Sequence, residues 1–191
     1  MDTNTWIVIG VIVALIIIAA GVFLWRRQRT EGLKARFGPE YLRAVEDTGS
    51  EREAEAVLSA RKARVRRYHL RPLSREDKQR YFDAWRRVQS KFVDDPRGAA
   101  RQADDLLGQV MAARGYPPAD IDQRLEDVSV DHGEAVQNYR VARGIVAKHA
   151  EGVAGTEDMR QAVIHYRTLF EDLVGEAGGS ERTPQDEVRY A

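Results

Sequence analysis

An all-α protein is expected from this chain: an N-terminal transmembrane helix followed by a small helical-bundle domain. Three features predict it. Residues 6–25 form a run without a single charge, rich in Ile and Val. Farther on, apolar residues recur three and four positions apart, which gathers them on one face of a helix. Nowhere does a segment alternate apolar and polar residues for long enough to make a half-buried strand.

At about 1.5 Å per residue, the uncharged run spans roughly 30 Å, the thickness of the hydrocarbon layer of a bilayer. Trp6 and Trp25 stand at its two ends, where indole rings favour the headgroup level. A cleaved signal peptide would need a positive leader, a shorter apolar stretch and a small-residue cleavage site. Only "MDTNT" precedes Trp6, so a retained anchor is expected. Arg26, Arg27 and Arg29 follow the run, then Lys34 and Arg36, with Glu31 alone opposing them. The positive-inside rule then places residues 1–5 outside a bacterial cytoplasmic membrane and the C-terminal domain in the cytoplasm. Residues 26–37 read as a basic juxtamembrane linker. Gly10 and Ala14 match a small-xxx-small pattern, through which a homodimer can form.

The body, residues 38–174, reads as helices separated by clear punctuation. Gly38-Pro39 opens a short helix over 40–47, and Ser50 with Glu53 forms a capping box for a second one reaching Arg67. Pro72 breaks the pattern. Ser74 with Asp77 then caps a third helix, whose Tyr81, Trp85, Val88 and Phe92 share one face. Asp95 as N-cap and Pro96 as first helical residue start a fourth, with Ala99, Ala103, Leu106, Leu107, Val110 and Met111 on one side. Gly115 stops it. After a short amphipathic piece around 121–128, Asp131 with Glu134 is expected to cap a helix bearing Val136, Tyr139 and Ala142. Gly155-Thr156 opens the last helix, with Met159, Val163, Tyr166, Phe170 and Leu173 turned inward. The polar, Gly-containing stretch 175–191 reads as a flexible tail.

Composition narrows the function classes. The chain has no Cys, which excludes disulfides and thiolate metal sites. The net charge of zero hides a division, because residues 1–93 hold 19 Lys/Arg against 11 Asp/Glu and residues 94–191 hold the reverse. A basic half beside a membrane segment suits an anionic leaflet, where each nearby Lys or Arg contributes about 1 kcal/mol. Arginine predominates among the bases, as in GC-rich bacterial proteins.

No catalytic pattern emerges. The four histidines show no metal-ligand spacing, and no nucleotide-binding loop or nucleophile elbow occurs. "DVSVDHGE" (127–134) has calcium-loop acids, but its glycine falls one position late and Asn138 stands where the bidentate Glu belongs. No cofactor or metal is expected. His132, Tyr139 and Arg140 are the candidates for a small-molecule or catalytic pocket, near a helix start that favours anions. The strongest surface candidate is "ARKARVRRYHLR" (60–71), whose Arg61, Lys62, Arg64, Arg66 and Arg67 form a basic face. It suits lipid headgroups or solvent, with nucleic acid disfavoured.

Taken together, the apolar span with "RFGPEYLRAVEDTG", "RYHLRPLS", "KFVDDP", "VMAARGYP" and "VSVDHGEAVQNYR" resembles a group of uncharacterised actinobacterial and proteobacterial proteins. The resemblance implies one N-terminal membrane helix and a helical domain, and no activity. The expected function is a non-enzymatic, membrane-tethered interaction module that binds an unknown protein partner at the cytoplasmic face. The alternatives are a small-molecule site at His132, Tyr139 and Arg140, and lipid or nucleic-acid binding through 60–71.

Overall fold

The computed structural model describes residues 3–150 and 155–175, with side chains at all of these except 3–13, 15, 22, 25, 26 and 29. The side chains of Trp6, Trp25, Arg26 and Arg29, the start of the Gly10 pattern and the stretch beyond Gly175 lie outside the described residues. The chain is all-α, in the order α1 (Thr3–Phe37), α2 (Pro39–Thr48), α3 (Glu51–Val65), α4 (Arg75–Phe92), α5 (Pro96–Ala113), α6 (Ile121–Ala150) and α7 (Thr156–Gly175). Among the described residues there is no strand. Nor is any helix among them long and apolar enough to cross a membrane. The uncharged run falls largely on positions whose side chains lie outside them.

Four local expectations are corrected. Residues 26–37 form no linker; α1 continues unbroken to Phe37, because this stretch is rich in good helix formers and its Leu33 and Phe37 are buried in the body. The chain turns at Gly38, whose φ of 51° favours glycine. Ser50 makes no side-chain cap. In the tight turn before it, the Thr48 hydroxyl donates to the Ala44 carbonyl at 2.7 Å. The Asp131 side chain makes no cap bond, although the chain does break where a helix start is expected: His132, at φ −130° and ψ 40°, is non-helical and divides α6 into two helical segments. Finally, Gly175 closes α7 and does not begin a tail.

The other caps form. The Ser74 hydroxyl accepts from the Asp77 N–H at 3.0 Å, and the Asp95 carboxylate accepts from the Gly98 N–H at 2.8 Å with Pro96 next in line. Gly115, at φ 97°, ends the turn after α5, and a Cβ there would stand 2.5 Å from the His69 carbonyl oxygen. The close approach carries a bond: the Arg71 N–H donates to the Arg114 carbonyl at 2.9 Å, tying the α3–α4 connection to the end of α5.

Two cores result. The larger is enclosed by α4, α5, α6 and α7, with Trp85, Leu107, Met111, Tyr139, Met159, Leu169 and Phe170 inside. Trp85 stacks on Phe170 at 4.7 Å between ring centroids, and Phe82 meets the same ring edge-on at 5.6 Å. The smaller gathers Leu33 and Phe37 of α1, Tyr41 and Ala44 of α2, Ala54, Leu58 and Val65 of α3, and Val130 of α6. Helix α6 thus serves both, with α1, α2 and α3 resting on it.

Candidate functional site

Between the two cores lies a layer of charge. Glu40 is 1% exposed and accepts from Nε and Nη2 of Arg140 at 3.2 and 3.4 Å, while Arg61 Nη1 stands 3.8 Å away. Arg61 also donates to Glu126 at 3.0 Å. Arg64 spans Glu126 at 3.2 Å and the buried Asp127 at 2.6 Å, and the Tyr68 hydroxyl donates to the other Asp127 oxygen at 2.7 Å. Burial, followed by its bond to Asp127, raises the Tyr68 pKa and keeps the phenol a donor. Each buried carboxylate therefore has guanidinium or hydroxyl partners, the condition under which charge is tolerated inside a fold.

This network revises the basic face expected over 60–71. Arg61 and Arg64 turn inward to carboxylates of α2 and α6, because a helix resting on α6 must present some of its polar side chains to it. Arg66 and Arg67 are exposed, and Lys62 is half-buried. The opposite charges of the two chain halves are likewise folded onto each other, through Arg61–Glu126, Arg64–Asp127 and Arg36–Asp131.

Lys62 and Arg66 line a groove of about 330 Å3 between α3 and α1, opposite Gln28 and Gly32, with Leu33 and Ala63 also lining it. Lys62 is held below the usual lysine range, chiefly by burial and then by Arg36 and Arg66, with Asp131 opposing.

The candidates His132, Tyr139 and Arg140 do not converge. Each points to a different helix: His132 Nδ1 is 2.8 Å from Asp172 Oδ2 on α7, the Tyr139 hydroxyl donates to Asp104 on α5, and Arg140 reaches Glu40 on α2. Only His132 borders the cleft of about 450 Å3 at the α6 bend, with Arg36, Gly38, Asp131, Glu134 and Asp172 around it. Gly133 lets the α1–α2 turn sit there, since a Cβ would stand 2.5 Å from the Phe37 carbonyl oxygen. Tyr139 and Tyr166 lie with ring centroids 5.2 Å apart, and burial first, then Asp104, raises both phenol pKa values. Those groups are core, not pocket. No set of three His, Asp or Glu that could hold a metal occurs among the described residues.

Sequence reasoning missed Glu40, Glu126 and Asp127. Nothing in apolar spacing marks a carboxylate for burial; opposite charges on the partner helices were the available signal. Comparison with family models, with curated proteins and with solved structures finds no match. The resemblance to uncharacterised bacterial membrane proteins gains no support from these comparisons.

Proposed function

We propose that this chain is a non-enzymatic helical module, tethered by α1 to the bacterial cytoplasmic membrane, that holds a protein partner at the cytoplasmic face. The observation that carries the reading is the behaviour of α1 along its length. Ile16, Ile17, Ile18, Phe23 and Leu24 are exposed, from 56% to 66%, whereas Leu33 and Phe37 on the same helix are 5% and 0% exposed. Exposed apolar surface of this extent calls for a cover, and an uncharged run of bilayer length takes lipid as that cover. The arginines after the run put the body on the cytoplasmic side.

A continuous helix also transmits position. Since α1 enters the smaller core without a break, the body is held near the bilayer and cannot swing on a loop. The charged side chains of that core are occupied with one another, which favours a scaffold over a reaction centre. Two observations test the reading. The full chain, expressed in bacteria, stays with the membrane pellet through alkaline carbonate extraction. In a chain that has no cysteine of its own, Thr3→Cys is labelled by an impermeant maleimide from outside and Ser180→Cys only after permeabilisation. Release by carbonate overturns the tether, and the reverse labelling overturns the orientation. A full chain that neither self-associates nor cross-links to any protein in membranes overturns the interaction role.

A further inference from the structure

We propose that the groove between α1 and α3 holds the phosphodiester of an anionic phospholipid from the cytoplasmic leaflet, with Lys62 and Arg66 as its cations and Gln28 as a neutral donor. This rests on the tether reading above and narrows it to a site.

The first ground is the state of the neighbouring charges. Lys34 pairs with Glu51, Arg36 with Asp131, Arg61 with Glu126 and Arg64 with Asp127. Lys62 and Arg66 differ: among the described residues neither has a carboxylate within ion-pair distance. The helix dipole accounts for bases near the end of α3, but not for a facing wall of Gln28 and Gly32 that offers no acid. Burial and then Arg36 and Arg66 disfavour the Lys62 ammonium, with Asp131 only partly opposing them, and an anion in the groove relieves that penalty.

The second ground is depth. Gln28 to Leu33 lie three to eight residues past Trp25, or roughly 4–12 Å along the helix axis. The headgroup layer extends about 5–8 Å beyond the hydrocarbon on each side, so the mouth of the groove stands where lipid phosphates are. Its volume of about 330 Å3 falls at the lower end of small-ligand sites, about 300–1,000 Å3. Leu33 and Ala63 add an apolar surface that suits the glycerol carbons.

The test uses the full chain in neutral detergent, with its unfolding midpoint followed as lipid is added. Phosphatidylglycerol should raise the midpoint of the native chain and of Arg67→Gln, which removes an adjacent exposed charge outside the groove. The double variant Lys62→Gln/Arg66→Gln should need about 25-fold more of the lipid, from about fivefold per lost charge. An equal response to phosphatidylcholine, or an undiminished response of the double variant, overturns the proposal. So does an equal shift with inorganic phosphate, which assigns the groove to a free anion, or with a duplex oligonucleotide, which assigns it to nucleic acid. If carbonate releases the chain yet the phosphatidylglycerol response depends on Lys62 and Arg66, the groove stands and the tether falls. A chain that resists carbonate but shows no preference for phosphatidylglycerol loses the groove alone.

Discussion

The core enclosed by α4, α5, α6 and α7 is built on aromatic and aliphatic packing around Phe170, while the smaller core under α1, α2 and α3 meets α6 across arginine–carboxylate pairs. The two regions are stabilised by different physics. Apolar burial is non-directional and adds up with area, so the larger core draws its strength from volume. Ion pairs return little net stability once desolvation is subtracted, but a mispaired arrangement is strongly penalised. The layer at Glu40, Arg61, Arg64 and Asp127 therefore dictates how α1–α3 sit on α6 more than how firmly.

The sharpest way to break the larger region is Phe170→Ala, which removes the ring between Trp85 and Phe82. A loss of about 3–5 kcal/mol is expected from denaturant midpoints; a loss under about 1 kcal/mol would show that this core relaxes around the gap. In the smaller region, Glu40→Ala strands Arg140, whose side chain is 16% exposed, and leaves Arg61 with Glu126 alone. A cost of about 3 kcal/mol is expected. Hydrogen exchange should show amides of α2 and α3 losing protection while those of α5 and α7 keep theirs. Equal loss in both would make the two regions one cooperative unit.

Alkaline pH should act most strongly on the larger region, although burial also raises the pKa values of Tyr41 and Tyr68 in the smaller one. Unfolded tyrosines ionise near 10.0, whereas Tyr139 and Tyr166 keep their protons well above that value in the fold. The folded state then binds more protons than the unfolded state above pH 10.0, so stability falls as pH rises through that range toward the raised native values. At about pH 11 the loss is about 1.4 kcal/mol for each of the two. Tyr139→Phe with Tyr166→Phe should flatten that slope in thermal melts across the alkaline range, and an unchanged slope would assign it to other groups. The smallest expected contrast lies at the caps: Asp95→Ala should cost about 1 kcal/mol, and Ser50→Ala, which removes no cap bond, less than about 0.5 kcal/mol, as for a surface substitution. Equal costs would mean that Ser50 caps α3 in solution.

These contrasts also mark what the sequence could disclose. The stripes of α4, α5 and α7 were legible because burial there follows helical spacing, and Ser74 and Asp95 were legible because their partners lie three residues on. Ser50 misled because it stands at the N-cap position of α3 with extended backbone, yet its side chain makes no cap bond. The new helix starting after 131 was legible from Asp131 and Glu134, but the break falls at His132, where the α1–α2 turn packs against Gly133. The basic face over 60–71 was half legible. Helical spacing puts Arg61 and Arg64 on one side and leaves Lys62 and Arg66 off it, while Arg67 falls beyond the end of α3; which side meets acid depends on Glu126 and Asp127, more than 60 residues away.

By itself the sequence determined the helical class, the apolar stripes and two of the three serine or aspartate caps it marked ahead of α3, α4 and α5. Those features rest on contacts within one helical turn or on one face, which local order is enough to specify. Only the tertiary structure decided which charges are neutralised and which still face a groove. A guanidinium looks the same in sequence whether it meets water or a buried carboxylate, and the long-range contact that separates the two is made only when the helices pack.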